Sequence, residues 1–303
     1  MRVLLLALAL DLLAGDPPNR WHPVAWTGRL LAWGRNHSPA AGPALLVAYG
    51  GGFVAATVLL VVVVVTAGSW LAPRLGWAGM LVEAALLKCT FSLRGLVRGA
   101  CLVRRRLEAE DLAGARERVG WDLVSRSTDA LSAPHVASAT VESVAENLTD
   151  SVLAPLFFFL IAGLPGAWAY RVVNTADAMW GYREGPLEYL GKAAARLDDV
   201  MNWIPARLAA VAVVLGALVA GQSASGAWRG MWREHGRTES PNAGWTMAAM
   251  AGALGVTLEK PGAYRLGSGA LPTVRAIGEA VRVMVGASGF VVAAALAVLA
   301  FRG

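Results

Sequence analysis

Apolar positions in this chain fall in long runs, not in the alternation of strands. Residues 44–70 are apolar throughout, with five consecutive valines, and predict one transmembrane helix. Glycines 50 to 52 would let it pack closely on a neighbour or kink near one end. Residues 204–221 and 282–301 predict two further spans. The first 14 residues are too short to cross comfortably, and they lead through Asp11 into a Gly-Asp-Pro-Pro turn without a clean cleavage site. They read as an uncleaved, membrane-dipping helix whose end meets an aqueous pocket. Gly15 and the Pro17-Pro18 pair then hold Asp16 and His22 on a constrained loop, either as a helix cap and a surface histidine or as part of a site. Over residues 80–103, Glu83, Lys88, Arg94 and Arg98 interrupt the apolar pattern at helical intervals, which predicts one amphipathic interfacial helix. Residues 104–131 read as soluble helix whose charges form a solvated face.

The exception to this order is residues 142–207, where Glu, Asp, Asn and Arg crowd against segments apolar enough for lipid. Buried polar groups are costly unless they face a cavity, a partner or a ligand. If residues 138–150 are helical, Glu142, Glu146 and Asp150 fall at i, i+4 and i+8, with Ser143 and Asn147 in the adjoining row. Such stacked carboxylates repel unless a cation or an arginine lies between them. The apolar run 152–173 is broken at Gly163-Leu164-Pro165-Gly166 into halves of about ten residues, the length of a re-entrant hairpin, with one kinked helix as the alternative. Beyond it Asn174 and Asp177 share a helical face. Lys192, Arg196, Asp199, Trp203 and Arg207 recur as one continuous helical stripe with Asp198 at its edge, which suits either an intramembrane salt-bridge ladder or a phosphate and metal site. Ser240-Pro-Asn242-Ala-Gly reads as a turn feeding a short apolar helix, whose first N–H groups can hold an anion. Taken as full spans, the apolar runs put these motifs on different faces of the membrane, so several must dip only partway for the motifs to meet.

Composition narrows the class. Of 303 residues 56% are hydrophobic and 16% charged, and the mean hydropathy is +0.51. These values predict an all-α, polytopic helical membrane protein with about four membrane segments, a re-entrant hairpin and amphipathic or cytosolic helices. It would form a single domain over 1–303, with a cytosolic or interfacial insertion at 74–140 and a catalytic core at 142–207. The net charge of +6 comes from basic residues concentrated over 74–126. That fits a cytoplasmic-side signal and anionic lipid, not a nucleic-acid surface. Cys89 and Cys101 support neither a disulfide framework nor a zinc site. Four scattered histidines leave metal chemistry to carboxylates, favouring Mg²⁺. The nearest approach to a P-loop, from Gly185 to Lys192, has one residue too many between its glycines and Ala193 where Ser or Thr is needed.

Together the blocks GDPPNRWHPV, ATVESVAENLTD, APLF, NTADAMWGYR, ARLDDVMNWIPARL and SPNAGWTMAAMAGALGV resemble the CobD/CbiB family, membrane-bound adenosylcobinamide-phosphate synthases of cobalamin biosynthesis. One departure is Ser127, where members commonly carry Asp. The resemblance implies an ATP-dependent ligase in the bacterial inner membrane, multi-pass, with its active site toward the cytoplasm. It would join adenosylcobyric acid to (R)-1-aminopropan-2-ol O-phosphate or a related phosphorylated amine, giving adenosylcobinamide phosphate. Its partners would be the corrinoid, the phosphorylated amino alcohol, the bilayer, and a second copy or other membrane enzymes of the pathway. On this reading Glu146, Asp150, Asp177, Asp198 and Asp199 serve Mg²⁺, while Arg196, Arg207 and Lys192 clamp phosphate. Asp16, Asn147, Asn174, Ser240 and Asn242 orient substrate, and His22 or Glu142 takes the ammonium proton. The alternatives are a Mg²⁺-dependent phosphotransferase on an alcohol phosphate, echoed loosely by the spacing from Asp177 to Asp199, and a non-catalytic AmpE-like membrane sensor or scaffold.

Overall fold

The computed structural model describes residues 1–124, 127–183 and 185–302; positions 125 and 126 of the segment expected to be soluble helix lie outside these. In chain order the helices are α1 (Arg2–Leu13), α2 (Pro23–Asn36), α3 (Pro43–Leu71), α4 (Trp77–Lys88), α5 (Leu93–Glu108), α6 (Leu112–Asp122) and α7 (Ala133–Leu148). A π-helical turn, Thr149–Leu153, leads from α7 into α8 (Ala154–Trp180). There follow α9 (Leu187–Leu190), α10 (Lys192–Met201), α11 (Trp203–Val219), α12 (Ala224–Glu234) and α13 (Ala243–Leu254). A short antiparallel hairpin, β1 (Leu258–Lys260) and β2 (Tyr264–Leu266), pairs Glu259 with Arg265 and precedes α14 (Val274–Arg302). Among the described residues the fold is all-α apart from that hairpin, as the pattern predicts.

Among the described residues three helical stretches are long and apolar enough to cross a membrane, Pro43–Leu75, Ala133–Trp180 and Val274–Arg302, with a fourth if α10 and α11 are counted as one bent span. The 48-residue stretch Ala133–Trp180 is not a single rod. Phe158 and Tyr170 lie twelve positions apart, about 18 Å along a straight helix, yet their rings stack at 5.3 Å. The chain therefore doubles back between them, at Ala162 and at Gly163, where φ is 65° and ψ −157°. That conformation is open essentially to glycine alone. Pro165 then begins the returning half, where its fixed φ is favourable and its missing N–H costs nothing. The chain reversal predicted at Gly163 to Gly166 is thus present.

The chain forms two compact units. The first comprises Met1–Ser92, Ala154–Met201 and the end of α14 from Val298. Its core gathers Leu31, Val54, Ala176, Trp180, Leu190 and Ala194, with Phe53 against the Trp180 ring at 5.9 Å. Helix α3 approaches α9 so closely that a Cβ at Gly50 would overlap the Leu190 carbonyl, which is the close packing expected of its glycines. The second unit holds Leu93–Leu153 and Asn202–Ala297. There α7 is buried along most of its length, and α12 crosses α13 backbone to backbone at Gly226 and Gly252. Stretch 142–207 contributes to both units.

Two expectations about helix boundaries change. The predicted helix over 80–103 is two, because the chain turns at Cys89–Ser92: the Thr90 hydroxyl donates to the Leu87 carbonyl at 2.7 Å and Lys88 Nζ to the Phe91 carbonyl at 3.3 Å. Side-chain bonds of this kind compete with helix continuation. The stripe from Lys192 to Arg207 is also not continuous, since the helix is interrupted at Asn202 between α10 and α11.

Candidate functional site

The first unit buries a charge cluster. Asp11, expected to meet water, is 1% exposed, and Lys88, 3% exposed, lies 2.9 Å from its carboxylate. The Lys88 ammonium also reaches Asp16 Oδ1 at 2.5 Å, and the Ser92 hydroxyl donates to Asp16 Oδ2 at 2.5 Å. His22 caps α2: its Nδ1 accepts from the Val24 N–H at 3.2 Å, and its Nε2 faces Asp16 at 3.8 Å. Burial opposes ionisation of Asp16, but hydrogen bonds from His22, Lys88 and Ser92 and the Lys88 charge outweigh it and hold the carboxyl well below the usual range. Burial likewise pushes the adjacent Cys89 thiol up to about 11, lowered somewhat by Lys88 and raised again by Asp16.

Elsewhere in the same unit, α8 and α10 bring together residues 20 to 30 positions apart. Asn174 Nδ2 donates to Asp198 Oδ1 at 3.3 Å and its Oδ1 accepts from Arg171 at 3.3 Å. Asp177, half-buried, lies one turn before Gly181. Arg196 pairs with Asp199 at 3.6 Å. Between the end of α8, α9 and the first turn of α10 opens a cavity of about 270 Å³, lined by Arg183, Glu188, Lys192, Arg196 and Asp199 together with Gly181 and Gly191.

The second unit holds the remaining predicted residues. Glu142 is buried and satisfied on both oxygens, accepting from the Ser138 hydroxyl at 2.7 Å and the Tyr264 hydroxyl at 2.8 Å. Ser138 in turn accepts from the Glu259 N–H at 2.7 Å, tying β1 to α7. Glu146 lies half-buried one turn on. Asn147 donates to the Ser143 carbonyl at 3.0 Å and accepts from Ser151. The π-helical turn takes Asp150 out of the regular i, i+4 row, and its Oδ1 accepts from Asn202 at 3.2 Å. Arg207 lies between two indoles, 4.2 Å from the Trp203 ring and 4.8 Å from that of Trp245, and its Nη1 reaches Asn242 Oδ1 at 3.4 Å. Asn242 is the N-cap position of α13, as the turn predicts, and the Ser240 hydroxyl accepts its N–H at 3.2 Å.

The structure thus unites Asp16 with His22, Asn174 with Asp198, Lys192 and Arg196 with Asp199, and Arg207 with Ser240 and Asn242, distributed over two units. Sequence reasoning missed Lys88, Arg183, Asn202 and Tyr264. Lys88 carried a signal, a lone ammonium after the apolar run 84–87. Asn202 and Arg183 stand inside quoted motifs, and Tyr264 had none. Ser127, the departure, donates to Asp129 at 3.2 Å.

Among the described residues no three His, Cys, Asp or Glu side chains gather as metal ligands. The oxygen-only donors Asp198 and Asp199 suit a hard cation held by one or two carboxylates plus substrate phosphates, the usual mode for Mg²⁺.

A profile of the family described as CobD/Cbib protein matches residues 4–286. The Cobalamin biosynthesis protein CobD of Dehalococcoides mccartyi is 46% identical over 271 residues, covering 89% of this chain and 87% of that protein. Its namesake in Chromobacterium violaceum is 45% identical over 289 residues, 92% and 90% of the two chains. The Cobalamin biosynthesis protein CbiB of Salmonella typhi is 40% identical over 267 residues, 86% and 82%. No solved structure matches. Alignment over nearly the whole length, including every polar motif described above, means that this chain belongs to the CobD/CbiB family.

Proposed function

We propose that the chain acts in cobalamin biosynthesis as an ATP-dependent acid-amine ligase in the bacterial inner membrane, joining adenosylcobyric acid to (R)-1-aminopropan-2-ol O-phosphate to give adenosylcobinamide phosphate. Family membership carries the pathway. The observation that favours this chemistry is the cation-lined cavity at Arg183, Lys192 and Arg196, whose wall also includes Asp199. An amide bond forms from a carboxylate only if an oxygen leaves. Transfer of the ATP γ-phosphoryl group to the corrinoid carboxylate makes an acyl phosphate and ADP. The amine then attacks, and inorganic phosphate departs from a tetrahedral oxyanion. Mg²⁺, held by one or two of Asp177, Asp198 and Asp199 in the first unit or of Glu146 and Asp150 in the second and completed by substrate phosphates, would offset the phosphate charge. Lys192 and Arg196 supply fixed positive charge to anionic oxygens. Asn174 and Asn242 orient amide or phosphate groups. Glu142 and His22 are the candidate acceptors for the ammonium proton. As placed, His22 commits Nδ1 to its helix cap and Glu142 accepts hydrogen bonds on both oxygens, so either must release a partner to take the proton.

The test is turnover by purified protein in detergent, with ADP release dependent on both cobyric acid and aminopropanol phosphate. Arg196→Ala and Asp199→Ala should each lower kcat/KM by about 100-fold or more. Folded variants that retain full ligation would refute the assignment, and AMP as product would overturn the acyl-phosphate step.

A further inference from the structure

We infer that α12 carries a site for the headgroup of an anionic phospholipid, its phosphate held by Arg229 and Arg233 and the body of the lipid resting on the indoles beside them. Neither arginine takes part in the proposed ligation.

The way α12 packs sets up the site. A Cβ at Gly226 would overlap the Gly252 carbonyl of α13, and one at Gly230 the Ala248 carbonyl. With these glycines, Ala227 and Met231 turned inward, two adjoining columns face out, each one turn apart. Trp228 and Trp232 form the first and are about half exposed; Arg229 and Arg233, both exposed, form the second.

Two arginines one turn apart repel each other. Among the described residues neither has a carboxylate partner. The adjacent acid, Glu234, is already committed, since it pairs with Arg237 at 3.1 Å and accepts from the Gly267 N–H at 2.5 Å. Arg229, Arg233 and Glu234 line a cavity of about 470 Å³ together with Gln222, Ser223 and Ser268. Its wall therefore holds two uncompensated cations and several neutral groups able to donate hydrogen bonds. Guanidinium groups pair with phosphate oxygens in bidentate fashion, and the space falls within the ~300–1,000 Å³ of small-molecule sites, enough for a glycerophosphate headgroup.

The indoles decide which phosphate this is. A soluble phosphate would engage the arginines and leave Trp228 and Trp232 facing water. Both belong to a band of rings: Trp228 lies 5.9 Å from Trp232, Trp232 lies 5.2 Å from Trp245, and Arg207 bridges Trp245 to the half-exposed Trp203. From Trp203 the exposed apolar surface continues along α11 through Ile204, Leu208, Val211 and Leu215. Tryptophan concentrates at headgroup level, where its ring meets acyl chains and its N–H meets water. Basic pockets beside membrane helices take anionic headgroups. A zwitterionic lipid brings its own ammonium, which two unpaired arginines oppose, so the lipid that satisfies both columns carries net negative charge.

The test uses the full chain, stripped of lipid in a non-ionic detergent, with lipid binding titrated by native mass spectrometry. Phosphatidylglycerol should bind more tightly than phosphatidylcholine of the same acyl chains, and inorganic phosphate at matched ionic strength should not displace it. Arg229→Gln and Arg233→Gln should each weaken phosphatidylglycerol about 5-fold, and together about 30-fold. Arg98→Gln with Arg105→Gln, an equal loss of charge at exposed positions of α5, should leave it unchanged. Trp228→Ala should weaken the lipid while leaving the preference for negative charge. Equal binding of the two lipids by the unaltered protein, or an equal loss in the α5 pair, would overturn the site in favour of general surface charge. Displacement by inorganic phosphate would overturn it in favour of a soluble anion. Thermal unfolding without lipid reads the fold separately, and the exposed substitutions should leave it unchanged.

Discussion

At the scale of single residues, Lys88 decides whether the first unit can keep its carboxylates. A carboxylate 1% exposed, like that of Asp11, is tolerable only with a counterion. Removing one partner of such a pair costs about 3–5 kcal/mol, because the other is left charged and buried. Lys88→Met should therefore lower the thermal stability of the detergent-solubilised protein by that order, and adding Asp11→Asn should recover part of the loss. Asp16 sets the pH behaviour. Its folded carboxyl lies below the unfolded value of about 3.9, so its contribution is complete above that value and fades only as pH falls through the lower, folded one. The stability gap between Asp16→Asn and the unaltered protein should be constant from pH 5 to 8 and narrow in acid. A gap that widened in acid would contradict the pairing. This cluster was half legible in the sequence. Asp16 and His22 stand out in a Pro-bounded loop, but the partner of Asp16 is 72 positions away, and a lone lysine after an apolar run does not say which carboxylate it will meet.

At the scale of elements, apolar run length was informative and polar periodicity less so. The span over 44–70 is α3, 204–221 is α11 within a residue or two, and 282–301 lies inside α14. The hairpin followed from two halves too short to cross and a Gly-Leu-Pro-Gly break. The failures are interruptions: the turn at Cys89–Ser92, the π-helical turn at Thr149–Leu153 and the break at Asn202. All three preserve overall helical composition, so a helical-wheel argument carries straight through them and assigns side chains to the wrong row. Gly163 tests the hairpin. Its backbone conformation is one that a Cβ opposes, so Gly163→Ala should destabilise by about 1–3 kcal/mol. Gly52→Ala, with open space around it, should be neutral or slightly stabilising. Equal effects of the two in thermal unfolding would contradict the geometry at Gly163.

At the scale of the whole molecule, composition alone pointed to a membrane protein, and the outward surface of α3 agrees. Leu59, Leu60, Val63 and Val64 are each more than half exposed, an arrangement that water penalises and lipid does not. Leu60→Arg, near the middle of that span, should raise the apparent free energy of insertion by about 2.5–3.5 kcal/mol in a translocon-based assay. Little or no change would place this face against protein. What the sequence could not reveal is the division of stretch 142–207 between two compact units. Stretch 142–207 is continuous in the chain, whereas each compact unit is assembled by contacts between distant segments, such as α1 with α4 or β1 with α7.

The bond between the N-terminal loop and Lys88 has a further consequence, for the order of synthesis. When α1 leaves the ribosome, the cation that neutralises Asp11 and Asp16 has not been made, and it follows Asp16 by 72 positions. Until α4 arrives, an α1 carrying an ionised Asp11 cannot settle in a dry environment. Nascent chains halted before Lys88 should therefore leave α1 accessible to water-borne reagents. Chains halted well beyond α4 should protect it, so that the protein's first helix is among the later ones to reach its place.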